Sequence, residues 1–323
     1  MFLLSATAVI LAGIRLATDG DRIAERTGLG GAWVGAILLA AATSLPELAI
    51  DASAVLQGAP NLAVGDLFGS SMANLVVLAI ADQVTRQPRM PSRVIVNQGL
   101  VGVLGILVTA VALAGIATAG LTQGFSIGWA PLALVVIYTA GMRLLHLNRP
   151  GPPFEPGRRA PVGTPRGLAR PVIGFAAAAG VILIAAPWLA SSATGIADRL
   201  GVSRGFIGVL LVAVTTSLPE IVVTVASLRL GAFDLAAGNL LGSNCFNMTI
   251  LLPLDLLHRE GPLLAAVDPG LALAGLAAIV MTAVMLLDLL DRSERRVWRV
   301  EPAPALVASM YVAALYAIHR ATG

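Results

Sequence analysis

Of 323 residues, 57% are hydrophobic and only 12% charged, against roughly 25% charged in soluble domains. That composition, with a mean hydropathy of +0.86 and apolar runs of about twenty residues, excludes a water-soluble globular fold and predicts an integral membrane protein lodged in a lipid bilayer. All 21 basic residues are arginine and the formal net charge is +3; the arginines gather between the apolar runs, so they report membrane orientation and no nucleic-acid partner.

The chain opens on Met1-Phe2-Leu3-Leu4 with no basic stretch before it, which predicts a first spanning helix and not a cleaved signal peptide. Breaks at Gly, Pro and charge clusters predict ten helices, over 2–18, 31–56, 61–83, 97–118, 125–145, 171–193, 205–228, 233–256, 263–288 and 303–320. Residues 147–169 are rich in Pro and Gly and carry Arg149, Arg158, Arg159 and Arg166, a composition that builds no core and reads as a flexible loop. The expected organisation is a first five-helix half (1–146), that loop, and a second five-helix half (170–323). With connections assigned to alternate sides, sixteen arginines, among them Arg22, Arg86, Arg149, Arg229 and Arg292, fall on one side. Only Arg199, Arg204, Arg259 and Arg320 fall on the other. Basic connections stay in the cytoplasm, so the loop is expected inside and both termini outside the cell's inner membrane.

A shift of 173 residues superimposes the two halves. Ala42-Thr43-Ser44-Leu45-Pro46-Glu47 falls on Thr215-Thr216-Ser217-Leu218-Pro219-Glu220, and without a gap Gly58 falls on Gly231, Gly65 on Gly238, Gly69-Ser70 on Gly242-Ser243, Asn74 on Asn247 and Asp82 on Asp255. Five helices separate matching elements. An odd number turns the second copy over in the bilayer, which predicts an all-α fold of two inverted five-helix repeats, with ion sites near the midplane between broken helices.

Pro46 lacks the N–H that would bond the carbonyl of Ala42, and Pro219 likewise frees Thr215, so helices 2 and 7 are expected to be discontinuous where their glutamates sit. Thr43 and Glu47 are four apart, as are Thr216 and Glu220; Asp66, Ser70 and Asn74 form a stripe at the same spacing, matched by Asn239, Ser243 and Asn247. A carboxylate at this depth in a spanning helix is costly enough to be read as functional. An oxygen-only donor set without His or Cys suits calcium or sodium and argues against zinc or copper. Cys245 is alone, which leaves no intrachain disulfide or cysteine cluster. For the hydroxyls and the Gly-Ser pairs, close helix packing is the competing reading.

The doubled pattern resembles the sodium/calcium exchangers of the calcium/cation antiporter superfamily, whose two repeats carry Thr-Ser-x-Pro-Glu followed by Gly-Ser-Asn-x-x-Asn. The resemblance implies a central cluster in which Glu47 and Glu220 bind calcium between the halves. It further implies that Thr43, Ser44, Ser70, Asn74, Thr216, Ser217, Ser243 and Asn247, with carbonyls near Ala40 and Ala213, line the sodium positions and the middle of the cluster.

There are departures from the family pattern. The first repeat reads Gly69-Ser70-Ser71 where Gly-Ser-Asn is usual, and both Asn74 and Asn247 are amides. Asp51 takes a place where the family tends to have Ser; it either adds a third carboxylate to the site or faces the aqueous entrance. Asp66 reads as a helix-start or vestibule residue. The implied activity is exchange of Ca2+ for Na+ by alternating access: two carboxylates neutralise one calcium ion, so monovalent ions compete with it. A proton/calcium antiporter of the same fold is the nearest rival, and a passive cation channel a more distant one. An enzyme is not expected, since no HExxH or GxSxG occurs and His146, His258 and His319 fall near helix ends. No cofactor and no obligatory protein partner are implied.

Overall fold

The computed structural model of the chain describes residues 1–85, 92–122, 126–147, 167–199, 215–290 and 302–322. Ala213, the start of the seventh expected helix, residues 148–166 of the expected loop and many of the arginines used for orientation lie outside them. Among the described residues all regular structure is helical: α1 (Phe2–Thr27), α2 (Gly31–Leu56), α3 (Pro60–Thr85), α4 (Ser92–Ala117), α5 (Trp129–Leu147), α6 (Ala169–Arg199), α7 (Leu218–Arg229), α8 (Phe233–Leu257), α9 (Ala272–Leu290) and α10 (Pro302–Thr322). Eight helical stretches, in α1 to α6, α8 and Pro269–Leu290, are long and apolar enough to cross a bilayer, so the chain is a multi-pass membrane protein. Exposed Leu4, Val136, Ile173, Ile184 and Leu287 make sense only against lipid.

Three expectations are corrected. First, α1 runs to Thr27 instead of ending at 18, because its buried Asp19 is neutralised within the helix by Arg15 Nε (2.6 Å) and Arg22 Nη1 (3.2 Å). Gly28, at φ +66°, ends it in the left-handed conformation. Second, the ninth segment does not begin as one helix at 263. Two 3₁₀ turns, Leu263–Ala265 and Pro269–Leu271, come first, the latter capped by Asp268, whose Oδ1 accepts from Gly270 N–H (2.6 Å). Third, helix 2 is not interrupted at Pro46, which lies inside continuous α-helix over Ala40–Leu56. The departure from α geometry is a π turn at Gly35–Leu39, upstream of the proline. In the second repeat the break sits where it was expected: Ser217 leaves helical geometry (φ −82°, ψ 4°) and Pro219 lies in the first turn of α7.

The chain forms two compact units, and neither is one repeat. The first comprises Met1–Pro46, Pro91–Gln98 and Met142–Leu240. Its core joins Val9, Leu16 and Ile23 of α1 to Ile182 and Leu189 of α6, with Leu39, Val223 and Leu235. Here α2 and α8 meet backbone to backbone: a Cβ on Gly35 would stand 2.6 Å from the Leu235 carbonyl oxygen, and one on Gly238 would stand 2.8 Å from that of Ala32. This crossing holds Asn239 beside α2.

The second unit comprises Glu47–Met90, Gly99–Gly141 and Leu241–Gly323. Phe68, Met72 and Leu75 of α3, Leu134 of α5 and Met248 of α8 are among its fully buried side chains. Asp255, at the end of α8, is also buried, and backbone donors satisfy it: Oδ2 accepts from Gly128 N–H (2.8 Å) and Oδ1 from Leu263 N–H (2.6 Å). It is therefore a structural carboxylate that ties two connections to a helix end.

The same turn closes a helix in each unit. After α2, Gly58 (φ +75°) donates to the Val55 carbonyl (3.0 Å) and Ala59 to that of Ala54 (2.9 Å). After α7, Gly231 (φ +76°) donates to Leu228 (3.0 Å) and Ala232 to Ser227 (2.9 Å). Both are Schellman motifs, residue for residue at the offset of 173. At the α2–α8 crossing, Gly238→Val drives a side chain into a carbonyl. It is expected to cost about 1–3 kcal/mol, measurable as a lowered Tm of the purified protein in detergent.

Candidate cation site

The polar side chains singled out by the sequence are buried, Asp66 excepted. Glu47 and Glu220 have no solvent exposure. Glu220 sits in the first turn of α7, where the helix dipole favours negative charge. Thr43, Ser44, Asn74, Asn239, Ser243 and Asn247 are fully buried as well, and Ser70, Thr216 and Ser217 nearly so.

Within the first unit, Thr43 Oγ1 lies 3.0 Å from the Leu39 carbonyl and 3.3 Å from that of Ala40. It also stands 3.5 Å from Asn239 Oδ1, while Asn239 Nδ2 donates to Thr224 Oγ1 (3.5 Å). The Ala40 carbonyl expected to coordinate an ion is thus already within reach of a hydroxyl of its own helix. Ser44 Oγ is buried without a hydrogen-bond partner.

Within the second unit, α3 and α8 are braced by amides. Asn74 Nδ2 donates to Asn244 Oδ1 (3.0 Å), and Asn244 Nδ2 donates to the carbonyl of Ser71 (3.1 Å). Asn247 Nδ2 reaches Ser70 Oγ (3.5 Å). Both Asn74 and Asn247 spend their N–H groups on the protein and keep a buried Oδ1 without a partner. An amide oriented this way can offer only oxygen to a third party. Ser71 Oγ turns back to the Leu67 carbonyl (2.8 Å) and takes no part in the brace, although its repeat mate Asn244 is the centre of it. Among the described residues no three Asp, Glu, His or Cys side chains gather as a metal cage. What each unit buries beside its carboxylate is amide and hydroxyl oxygen, a hard kind of donor.

Asp51 is buried (1% exposed), with Oδ2 accepting no hydrogen bond. Asp66 lies in the second turn of α3, not at its start, and is half-buried with a buried, unpartnered Oδ2.

Comparison with known proteins identifies the family. The profile of the family described as sodium/calcium exchanger protein matches residues 1–144 and 170–319. The chain belongs to the sodium/calcium exchanger family. Among relatives, it is 28% identical to CaxA of Alkalimonas amylolytica over 95% of this chain and 97% of that protein. It is 26% identical to the inner membrane protein YrbG of Escherichia coli over 80% and 82%. A shorter match, 38% over 28% of this chain and 25% of the other, links it to the sodium/calcium exchanger MaX1 of Methanosarcina acetivorans. A solved structure of the sodium-calcium exchanger NCX_Mj has the same fold, with a TM-score of 0.74 at 21% identity over 98% of this chain and 96% of that one.

Sequence reasoning about this family member missed Gln98 and Ser227. Gln98 is buried on α4; its Nε2 donates to the Asp234 carbonyl (3.0 Å) and its Oε1 has no partner. Its signal was the Asn97-Gln98 amide pair at the edge of a long apolar run. Ser227 Oγ is buried and unpartnered too, and a single serine near a helix end carries no signal of its own. Asn244 is the keystone of the α3–α8 brace. Asn244→Ala strands the Asn74 N–H2 and the Ser71 carbonyl, and is expected to lower stability by about 1–3 kcal/mol, read as a drop in Tm relative to Asn244→Gln.

Proposed function

We propose that this exchanger-family chain is a secondary-active antiporter that exchanges Ca2+ for Na+ across the membrane by alternating access. One observation carries the reading: Glu47 and Glu220 are wholly buried in apolar helices, on the same helices or units as amide oxygens and hydroxyls that no protein donor satisfies. Two buried carboxylates are tolerable with a cation to neutralise them. Glu47 and Glu220 supply the charge for one calcium ion. Thr43, Ser44, Ser70, Asn74, Thr216, Ser217, Ser243 and Asn247, with the carbonyls of Ala40 and Ala213, serve the sodium ions that displace it.

The architecture that goes with this reading is ten spanning helices in two inverted repeats, 1–146 and 170–323, with residues 147–169 in the cytoplasm and both termini outside the inner membrane. The duplicated Schellman turns support the duplication, and the arginine distribution supports the orientation. Relatives are named as an antiporter (CaxA) and a sodium/calcium exchanger (MaX1). Helices α1 and α6 pack on one another through Leu16 and Ile182 and carry none of the site residues, which suits them to slide as a gate.

The same burial supports a second reading, since a proton neutralises a glutamate as calcium does: a proton/calcium antiporter. Calcium uptake into proteoliposomes separates the two. An outward sodium gradient is expected to drive uptake and a proton gradient of equal size to leave it near background; the reverse result establishes proton coupling. Glu47→Gln and Glu220→Gln are each expected to weaken calcium binding by at least about tenfold in calorimetric titration, and normal binding by either variant would falsify the assignment.

A further inference from the structure

Where the two hairpins that share the Schellman turn diverge, one register pair is acidic in the first and neutral in the second. Asp51 lies seven residues before Gly58, and Asp66 lies seven after Ala59. Glu47 and Ser70 lie eleven away on either side. The Asp51–Asp66 level is therefore one helical turn from the Glu47–Ser70 level, on the side of the turn. Across the hairpin the two aspartates stand at the same level, the level at which Thr224 and Asn239 meet at 3.5 Å in the other hairpin. Asp51 is 1% exposed with Oδ2 unpartnered, and Asp66 is half-buried with its own Oδ2 buried and unpartnered. Two like charges with unused acceptor atoms repel one another, and among the described residues no arginine forms an ion pair with either.

In the second hairpin the equivalent positions are Thr224 and Asn239, seven residues from Gly231 and Ala232. There the pair is neutral and closed on itself, with Asn239 Nδ2 donating to Thr224 Oγ1 (3.5 Å). One turn thus ends in a satisfied neutral pair and the other in two carboxylates that lack donors.

We infer that Asp51 and Asp66 form a second, one-sided site for a divalent cation, a staging position through which calcium reaches Glu47 from the face of the membrane that holds the 57–59 turn. This rests on the antiport reading. Two carboxylates match one divalent charge, and Asp66, only partly buried, is the side from which water would complete the six to eight oxygens that calcium takes. With so few protein ligands the site binds weakly, on the order of 10⁻⁴–10⁻³ M. From the staging position to the centre the ion moves one turn along α2, from Asp51 to Glu47. No carboxylate pair of this kind stands at the matching level of α7 and α8, so calcium arriving from the opposite face meets no such step. By the arginine distribution, the face with the acidic pair is the outer one.

The test uses the full-length protein and calcium chloride. In the Glu47→Gln/Glu220→Gln protein, calorimetry is expected to find one weak calcium equivalent. Adding Asp51→Thr and Asp66→Asn, which installs the pair that the other hairpin already carries, is expected to remove it while the thermal transition stays cooperative. No residual calcium binding in the folded double-glutamine protein would overturn the inference, as would residual binding that survives the added substitutions. In proteoliposomes, Asp51→Thr/Asp66→Asn alone is expected to raise the KM for calcium about tenfold from one membrane face. An equal rise from both faces would place the pair within the central site and overturn the staging role. Failure of the antiport reading looks different: Glu47→Gln would then bind calcium normally, whatever stands at 51 and 66.

Discussion

An oxygen lone pair buried in apolar helices needs a donor, and within this chain the direction in which hydrogens point decides what each site can be. Asp255 takes two backbone N–H groups and is finished. Asp19 takes two arginines and is finished. Asn74 and Asn247 instead give their hydrogens away and keep an oxygen in reserve, while the hydroxyl of Thr43 can be spent on a carbonyl of its own helix. Oxygens whose own hydrogens are spent elsewhere present partial negative charge, and the Oδ1 atoms of Asn74 and Asn247 are of that kind. In a medium of low dielectric an oxygen held in reserve in this way favours a cation over any other neighbour, and the proposed exchange rests on that preference.

The sequence carried the parts of this that rest on composition and spacing. Apolar runs marked the spans, and the offset of 173 marked both glutamates and both turns, because Gly58 and Gly231 must adopt positive φ and few residues do so cheaply. Less legible was anything decided by neighbours distant in the chain. The π turn at Gly35–Leu39 follows from a backbone crossing with Leu235 and Gly238 that no local signal announces. Pro46 looked like a helix breaker, yet a membrane helix passes through it when surrounding groups accommodate the freed carbonyl. Charge at Asp19 looked like the end of a span until Arg15 and Arg22 appeared one turn to either side. The bracing role of Asn244 depends on which of two identical-looking amides turns its N–H2 toward which partner, a choice made by packing alone.

Duplication explains the likeness of the halves, and divergence explains their division of labour. Ser71 has lost the long amide that Asn244 retains, so α3 and α8 are held through Asn244 with a short bond on one side and through Asn247 with a longer one on the other. Similarly, Thr224 and Asn239 settle one another while Asp51 and Asp66 do not. These substitutions break the likeness of the two hairpins without disturbing the turns that frame them.

The paired Schellman turns also act as rulers. Each polar side chain on α2, α3, α7 and α8 owes its bearing to a residue count that starts at Gly58 or Gly231. A single inserted residue between the turn and its glutamate would swing everything beyond it through about 100° of helix surface, carrying a carboxylate from the interior into hydrocarbon. The count of residues between each turn and its glutamate is therefore as much a part of the fold as the residues themselves.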